Sequence, residues 1–386
     1  MTSTTAPPAG AKGAEAAEAA EAIELDTAFD GADRTRSAGS RLFGWFQRQR
    51  WWITRVAVLP VHLLLFAIFT FILIRLMPGD PVIALLGNQS WTQEDYDRLQ
   101  AALGLDGSIF DQLATYLSQL VTLDLGQSFI TKRDISTELA LRLPGTIELA
   151  FLSLIIAAII SGIGSFMAIS RPKGVIARLA HGYARAAGAV PDFVLAIGGI
   201  LLFYSLLRWI PAPIGRLDAG LAPPTQITGF PLIDAIAQGY WAGAGSMLAH
   251  LALPVIALAL AQVPILIRLT IAGLEKAIEA PATLFRVASG APRFTVLLSV
   301  YRRALPPVVT VAGSIFGGMI GGAVVIENLF GFTGAGRYAA EAVATGDYLA
   351  LQGFLLATAA LMLVIFLVID MTNMILDPRR RPGTRI

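Results

Sequence analysis

Five ionisable side chains fall within or beside long apolar stretches: Glu148, Asp192, His250, Glu327 and Asp370. Charge in hydrocarbon is costly, and its retention there points to a task. Acid–base catalysis would need paired carboxylates on one face, and no apolar face of this chain carries such a pair. A proton relay would need several groups at one depth, which the spacing does not establish. Glu148 and Glu327 sit at the ends of apolar runs, where water or a helix terminus is in reach. Asp370 lies about two turns from the end of the last run, close enough to pair with a basic group. Asp192 follows Pro191 at the start of another run. Each is open to a structural reading or to a role in a relay. The histidines, His62, His181 and His250, lie in different segments without ligand spacing, so no metal site is expected. The chain has no cysteine, which excludes disulfides, thiolate metal sites and thiol catalysis.

Nucleotide chemistry fares no better. No G-x-x-x-x-G-K-[ST] phosphate loop occurs, so the chain is not expected to hydrolyse ATP. Residues 331–336, GFTGAG, mimic part of a dinucleotide fingerprint, but no alternating strand–helix pattern surrounds them and a tight turn is expected. In GSIFGGMIGG, Gly313, Gly317 and Gly321 recur every four residues and share one helix face. Such a stripe lets helices approach closely in lipid, either within one chain or at a subunit interface around a pathway.

The elements that must position these residues are membrane helices. Of 386 residues, 55% are hydrophobic and 15% charged, against about 45–50% and about 25% in soluble domains. The apolar excess comes in blocks long enough to cross roughly 30 Å of hydrocarbon. Six spans are expected, at about 51–77, 147–169, 186–207, 247–274, 306–326 and 348–376. With both termini in the cytoplasm, the inner segments hold 21 Lys and Arg and the outer ones 8, the asymmetry the positive-inside rule requires. Residues 1–45, rich in Ala, Glu and Gly, are expected to be a disordered cytoplasmic extension, and 46–386 the six-helix permease domain. The outer loop at 78–146 is long enough to have structure of its own. Within it SWTQEDYDRLQAALG predicts a short helix capped by Ser90 or Thr92 and ended by Gly104.

Residues 286–308, RVASGAPRFTVLLSVYRRALPPV, are basic, amphipathic and too polar to span. On this topology they face the cytoplasm. Gly290 and Pro292 predict a break between two short helices, with Pro306 and Pro307 opening the next span. The stretch could lie on anionic lipid or fit a groove on a partner protein.

At this point the sequence resembles the membrane subunits of binding-protein-dependent ABC importers of the dipeptide, oligopeptide and nickel permease type. The pieces that carry the resemblance occur in order from Arg75 to the C-terminus: Arg75-Leu-Met-Pro-Gly-Asp-Pro81, Leu103-Gly-Leu-Asp106, Asp124-Leu-Gly-Gln-Ser128, Arg142-Leu-Pro144, Thr228-Gly-Phe230 with Asp234, His250-Leu-Ala-Leu-Pro254, Glu327 with Phe330, Gly334, Gly336 and Arg337, Asp347-Tyr348, and Asp377-Pro-Arg379. The resemblance implies an all-α integral membrane protein of the type I ABC importer permease fold. It makes 275–304 a coupling loop that docks on a cytoplasmic ATPase, with Arg286, Ala288, Ser289, Gly290, Arg293, Arg302, Arg303 and Ala304 as its residues. In place of the family's usual acid, Tyr and Arg upstream of that loop stands Pro281-Ala-Thr-Leu284, its lysine is Ser289, and an asparagine usual in the last span is Phe366.

The implied partners are a second homologous permease subunit in a heterodimer, two ATPase subunits carrying ATP and Mg, an extracytoplasmic substrate-binding protein, and membrane lipid. No cofactor on this chain and no nucleic acid are implied. Two rivals stand beside this reading. A secondary transporter driven by an ion gradient would need midplane charges and broken helices in related halves. A membrane scaffold would use the fifth-span glycines for oligomerisation alone.

Overall fold

A computed structural model describes residues 38–76, 81–86, 90–102, 105–185 and 190–376. Most of the expected extension (1–37), Met77–Asp80, Leu103-Gly104 and Asp377–Arg379 lie outside the described residues. The chain divides into two units, residues 1–57 with 381–386, and residues 58–380. The described part of the first is the beginning of helix α1 (Ala38–Leu76).

After α1 the second unit carries α2 (Pro81–Leu86), α3 (Gln93–Ala102), α4 (Ile109–Val121), α5 (Ile135–Ser170), α6 (Val175–Arg185) and α7 (Asp192–Gly199), which continues as a π-helical segment, Ile200–Leu206. Then come α8 (Pro231–Ala237), α9 (Trp241–Ile278), α10 (Pro281–Ala288), α11 (Arg293–Leu329), α12 (Ala335–Thr345) and α13 (Tyr348–Leu376). Among the described residues there is no sheet, only an isolated bridge between Gln127 and Asp134.

Five helices are long and apolar enough to cross a membrane: Val56–Leu76 of α1, α5, α9, α11 and Tyr348–Thr372 of α13. Helices α5, α9 and α11 have 36, 38 and 37 residues. At about 1.5 Å per residue each is well over the ~30 Å of hydrocarbon, so their ends project. Helix α9 is central, with α5 and α11 packed along it, and its buried Leu258, Val263 and Leu266 join the two main apolar clusters.

The third expected span departs from its prediction. α7 and the π segment together hold 15 apolar residues, roughly 22 Å of rise and too short to cross alone. The missing length is supplied by α6, which lies where the sequence suggested a cytoplasmic connector. Ala177, Ala180 and Ala184 of α6 are buried against α5 and α9, a spacing of three and four that gives one smooth helical face. The contacts advance steadily along α9. Ala180 lies near Ile267 at Gly164, Tyr183 reaches Leu260, Asp192 lies beside Leu258, and Gly199 abuts Leu253. α6 and α7 are thus two pieces of one path antiparallel to α9.

A second correction concerns Pro306 and Pro307. They were expected to open the fifth span, but α11 runs unbroken through them from Arg293. A proline inside a helix removes one ladder hydrogen bond and does not always end it. Pro306 is buried, and packing holds the helix across the gap.

Local rules predict the rest well. α3 begins at Gln93 with Thr92 as cap: Asp95 N–H donates to Thr92 Oγ1 (3.3 Å), and Thr92 N–H donates back to Asp95 Oδ2 (3.0 Å). α4 has the same reciprocal box between Ser108 and Asp111. The glycine stripe of α11 meets the chain's own last helix: side chains of Ile369 and Met362 occupy the space before Gly313 and Gly317, whereas Gly321 faces open space.

Candidate functional site

Helix α11 carries candidate residues at both ends. At its start, α10 and α11 are joined by a turn at Ser289–Pro292. α9 ends at Ile278, and Thr283 Oγ1 donates to the carbonyl of Ala277 (2.6 Å), satisfying an orphan at that terminus. Pro281 at the first turn of α10 has no N–H to lose. Gly290 takes φ 74°, a left-handed conformation in which a side chain would be strained, and Ala291 N–H closes the turn onto Arg286 O (3.0 Å).

The eight expected coupling residues do not share one environment. Arg286, Ala288, Ser289, Gly290, Arg293 and Arg302 are exposed. Arg303 is half-buried, its guanidinium donating to Ser299 Oγ (2.7 Å) and Ser299 O (3.2 Å). Ala304 is buried, and its backbone and Cβ abut Gly273 of α9. Ala304 therefore sets the approach of α11 to α9, which a larger residue would spread. Sequence reading missed the apolar members of the exposed tip. Phe285 and Phe294 are 72% and 75% exposed, and Leu284 and Val287 are also open. Behind them lies a groove of about 370 Å³ walled by Phe166, Ile169, Leu274, Ile278 and Val300. An apolar tip ringed by Arg286, Arg293 and Arg302 has the form of a protein-docking element, with anchors inside and charge at the rim.

The far end of α11 is a buried polar knot. Glu327 is fully buried. Thr146 Oγ1 donates to its Oε1 (2.6 Å), and Arg337 N–H donates to its Oε2 (3.0 Å). Ala335 N–H donates to Thr146 Oγ1 (2.9 Å). The carboxylate thus closes the N-terminus of α12, where free N–H groups and the helix dipole favour negative charge. The GFTGAG turn is what brings α12 back: Phe332 N–H donates to Glu327 O (2.8 Å), and Gly336 lies so close to Val324 that no Cβ would fit. A helix terminus was among the expected destinations of Glu327; water was not its fate.

Glu148 is buried too, and its partner went unread in the sequence. Arg216 Nη1 donates to Glu148 Oε1 (2.8 Å), Arg216 Nη2 to Gly145 O (2.6 Å), and Leu232 N–H to Glu148 Oε2 (2.9 Å). The Arg216 guanidinium lies 4.8 Å over the Phe332 ring. This pair fastens the 207–230 connector and α8 to α5. Beside it, Asp234 accepts from Thr228 Oγ1 (2.6 Å) and from the N–H groups of Thr228, Ile227 and Gly229. Burial opposes its charge, but these four donors win and hold its carboxyl below the usual range.

The remaining acids are scattered. Asp192 sits against Gly322; Asp370 lies part-buried on α13. His250 Nδ1 contacts Ser246 O (2.9 Å), and its Nε2 is 3.9 Å from Asp218. No apolar face gathers these groups into one relay. At the rim, Tyr338 lies under Arg142 (4.8 Å), and its hydroxyl is pushed up to about 12 by burial and then by Asp347 and Glu138.

Residues 160–382 match the family described as binding-protein-dependent transport system inner membrane component, and residues 49–150 match its N-terminal membrane component. A probable D,D-dipeptide transport system permease protein of Escherichia coli strain K12 is 34% identical over 335 residues, covering 86% of this chain and 96% of that protein. A dipeptide transport system permease protein of Alkalihalophilus pseudofirmus is 32% identical over 326 residues, covering 84% and 97%.

Proposed function

The chain belongs to the family of binding-protein-dependent transport system inner membrane components, and from that premise we propose that it forms one wall of an ATP-driven import pathway for peptides or similar small solutes. The names of its relatives supply the substrate class. The membrane is a bacterial inner membrane, as the family description and the long apolar helices require.

The finer topology is six crossings with both termini in the cytoplasm. Five are the long helices, and the third is α6 and α7 taken together. The domain runs from residue 46 after an extension of 1–45. A homologous permease subunit, as a heterodimer, completes the pathway. Two ATPase subunits hold ATP and Mg, since this chain has no phosphate loop and holds no cofactor of its own. A substrate-binding protein delivers cargo from outside; lipid surrounds the rest, and nucleic acid has no part.

The observation that carries the coupling assignment is the tip around Gly290. An exposed Phe285, Phe294, Leu284 and Val287 within a ring of arginines is a poor end for a helix hairpin unless a partner covers it. ATP binding would close the ATPases, displace the two tips and swing the helices between inward- and outward-open states. The test is Gly290→Trp in the assembled importer, with single cysteines at Ser289 or Arg286 for cross-linking; the absence of native cysteine leaves no background. Transport and stimulated ATPase activity should fall together while insertion is unchanged, and the cysteines should capture the ATPase. Full transport by Gly290→Trp would refute the assignment.

The ion-gradient alternative draws on one feature, the junction of α6 and α7 with Asp192 beside it. It requires uptake without any ATPase and loss of uptake in Asp192→Asn.

A further inference from the structure

A chamber of about 540 Å³ lies among α1, α4, the 124–132 loop and the start of α13. Nothing in the coupling mechanism uses it. Its polar lining is unusual in its balance of donors. Arg75, in the last turn of α1, brings a guanidinium stacked 5.1 Å over Phe71. Lys132 brings an ammonium from a tightly tied loop: Ser128 N–H donates to Arg133 O (2.9 Å), Lys132 N–H to Ser128 O (3.0 Å), and Ser128 Oγ to Asp347 Oδ2 (2.5 Å). Lys132 itself takes φ 56°, and among the described residues it enters no salt bridge.

The second observation is independent of charge. Gln352 is 5% exposed, and its Nε2 has no hydrogen-bond partner; the buried Tyr116 hydroxyl has none either. Both line the chamber. Tyr116 is directed toward Thr70 and Gln352 without reaching hydrogen-bond geometry. An unmade bond at a buried donor is costly and rare. Of the acceptors in the wall, Asp124 is already engaged, its Oδ1 accepting from Gly126 N–H (2.8 Å). Two cations and two unspent donors therefore converge on a space with little to accept from them.

We propose that this chamber is a binding site for an oxyanion, a phosphate or carboxylate group. Arg75 and Lys132 supply charge, and Gln352 Nε2 and Tyr116 Oη the orienting hydrogen bonds. Arg75 sits where the apolar span of α1 ends, at the depth of phospholipid headgroups. The same chemistry is offered by a headgroup entering from the bilayer and by a free anion entering from water.

The test uses the full chain, purified from membranes and placed in phosphatidylcholine nanodiscs. One arm adds short-chain phosphatidylglycerol and reads bound lipid by native mass spectrometry. The other arms add inorganic phosphate or acetate and read the melting temperature. Retained phosphatidylglycerol with no melting shift from the small anions assigns the headgroup. A melting shift from phosphate or acetate assigns the free anion. In either case Lys132→Gln should weaken binding about tenfold. Gln352→Leu should also weaken it, yet should raise the melting temperature without ligand, because the orphan donor is gone. Arg98→Gln, on the exposed face of α3, should bind as the parent does. Absence of binding in every arm, or equal binding by parent, Lys132→Gln and Gln352→Leu, overturns the proposal.

Discussion

Tyr183 Oη donates to the carbonyl of Leu260 at 2.7 Å, and that carbonyl faces Pro264, which has no N–H to return. An α-helical carbonyl is ordinarily satisfied by the residue four positions on. In α9 the proline removes that donor, and a side chain from α6 replaces it. Leu260 is near the middle of the 38-residue helix, so the bond also fixes how far α6 penetrates. Tyr183→Phe should lower stability by about 0.6 kcal/mol, the usual worth of such bonds between membrane helices. That is a loss of about 1–2 °C in melting temperature, with proteolysis between α6 and α7 accelerated in the same preparation. A variant that melts and resists protease as the parent does would show that the bond does not hold α6 in place.

The Glu148–Arg216 pair should be strongly non-additive. Both side chains are almost wholly buried, at 5% and 10% exposure. Removing one partner leaves a buried charge, at a cost of about 3–5 kcal/mol. Arg216→Met and Glu148→Leu should each destabilise on that scale, and the double variant should cost less than their sum. The double will not recover fully, because Gly145 O and Leu232 N–H lose their partners with it. Strict additivity in a denaturation cycle would rule out a direct pair.

Asp234 predicts an acid limit for the connector before α8. Its carboxyl titrates below the usual range in the folded protein. A group with a depressed folded pKa contributes its stability above the unfolded value, about 3.9 for aspartate, and loses it as pH falls further toward the folded value. Asp234→Asn should therefore be less stable than the parent at pH 7, with the gap narrowing once pH drops below about 4. A gap independent of pH, read by hydrogen exchange of the Ile227–Gly229 amides, would contradict this.

What could be read before folding was whatever local rules govern. Thr92 capping α3, the turn at GFTGAG and the break at Gly290 all follow from residues within a few positions of one another. Glu327 was legible as a helix-terminus acid because the glycines that return the chain follow it directly. Arg216 was not legible as a partner, since it stands 68 residues from Glu148 and the pairing exists only once the connector lies over α5. α6 was misread because Arg171, Lys173, Arg178 and Arg185 dominated the impression of residues 171–185 and hid its alanine face. The prolines of α11 were misread for a related reason. A local breaking tendency was overruled by packing against α9.

The unbroken course of α11 has a mechanical consequence. Its 37 residues make a strut roughly 55 Å long, with the arginine-ringed tip at one end and the carboxylate seated on α12 at the other. A tilt of about 5° around its midpoint would carry each end through ~2 Å, far enough to part hydrogen bonds of ordinary length. Pro306 and Pro307 leave two rungs missing along the way, so the strut is most compliant there, and the distance from that weak spot to each end sets how a push at one side is geared into travel at the other.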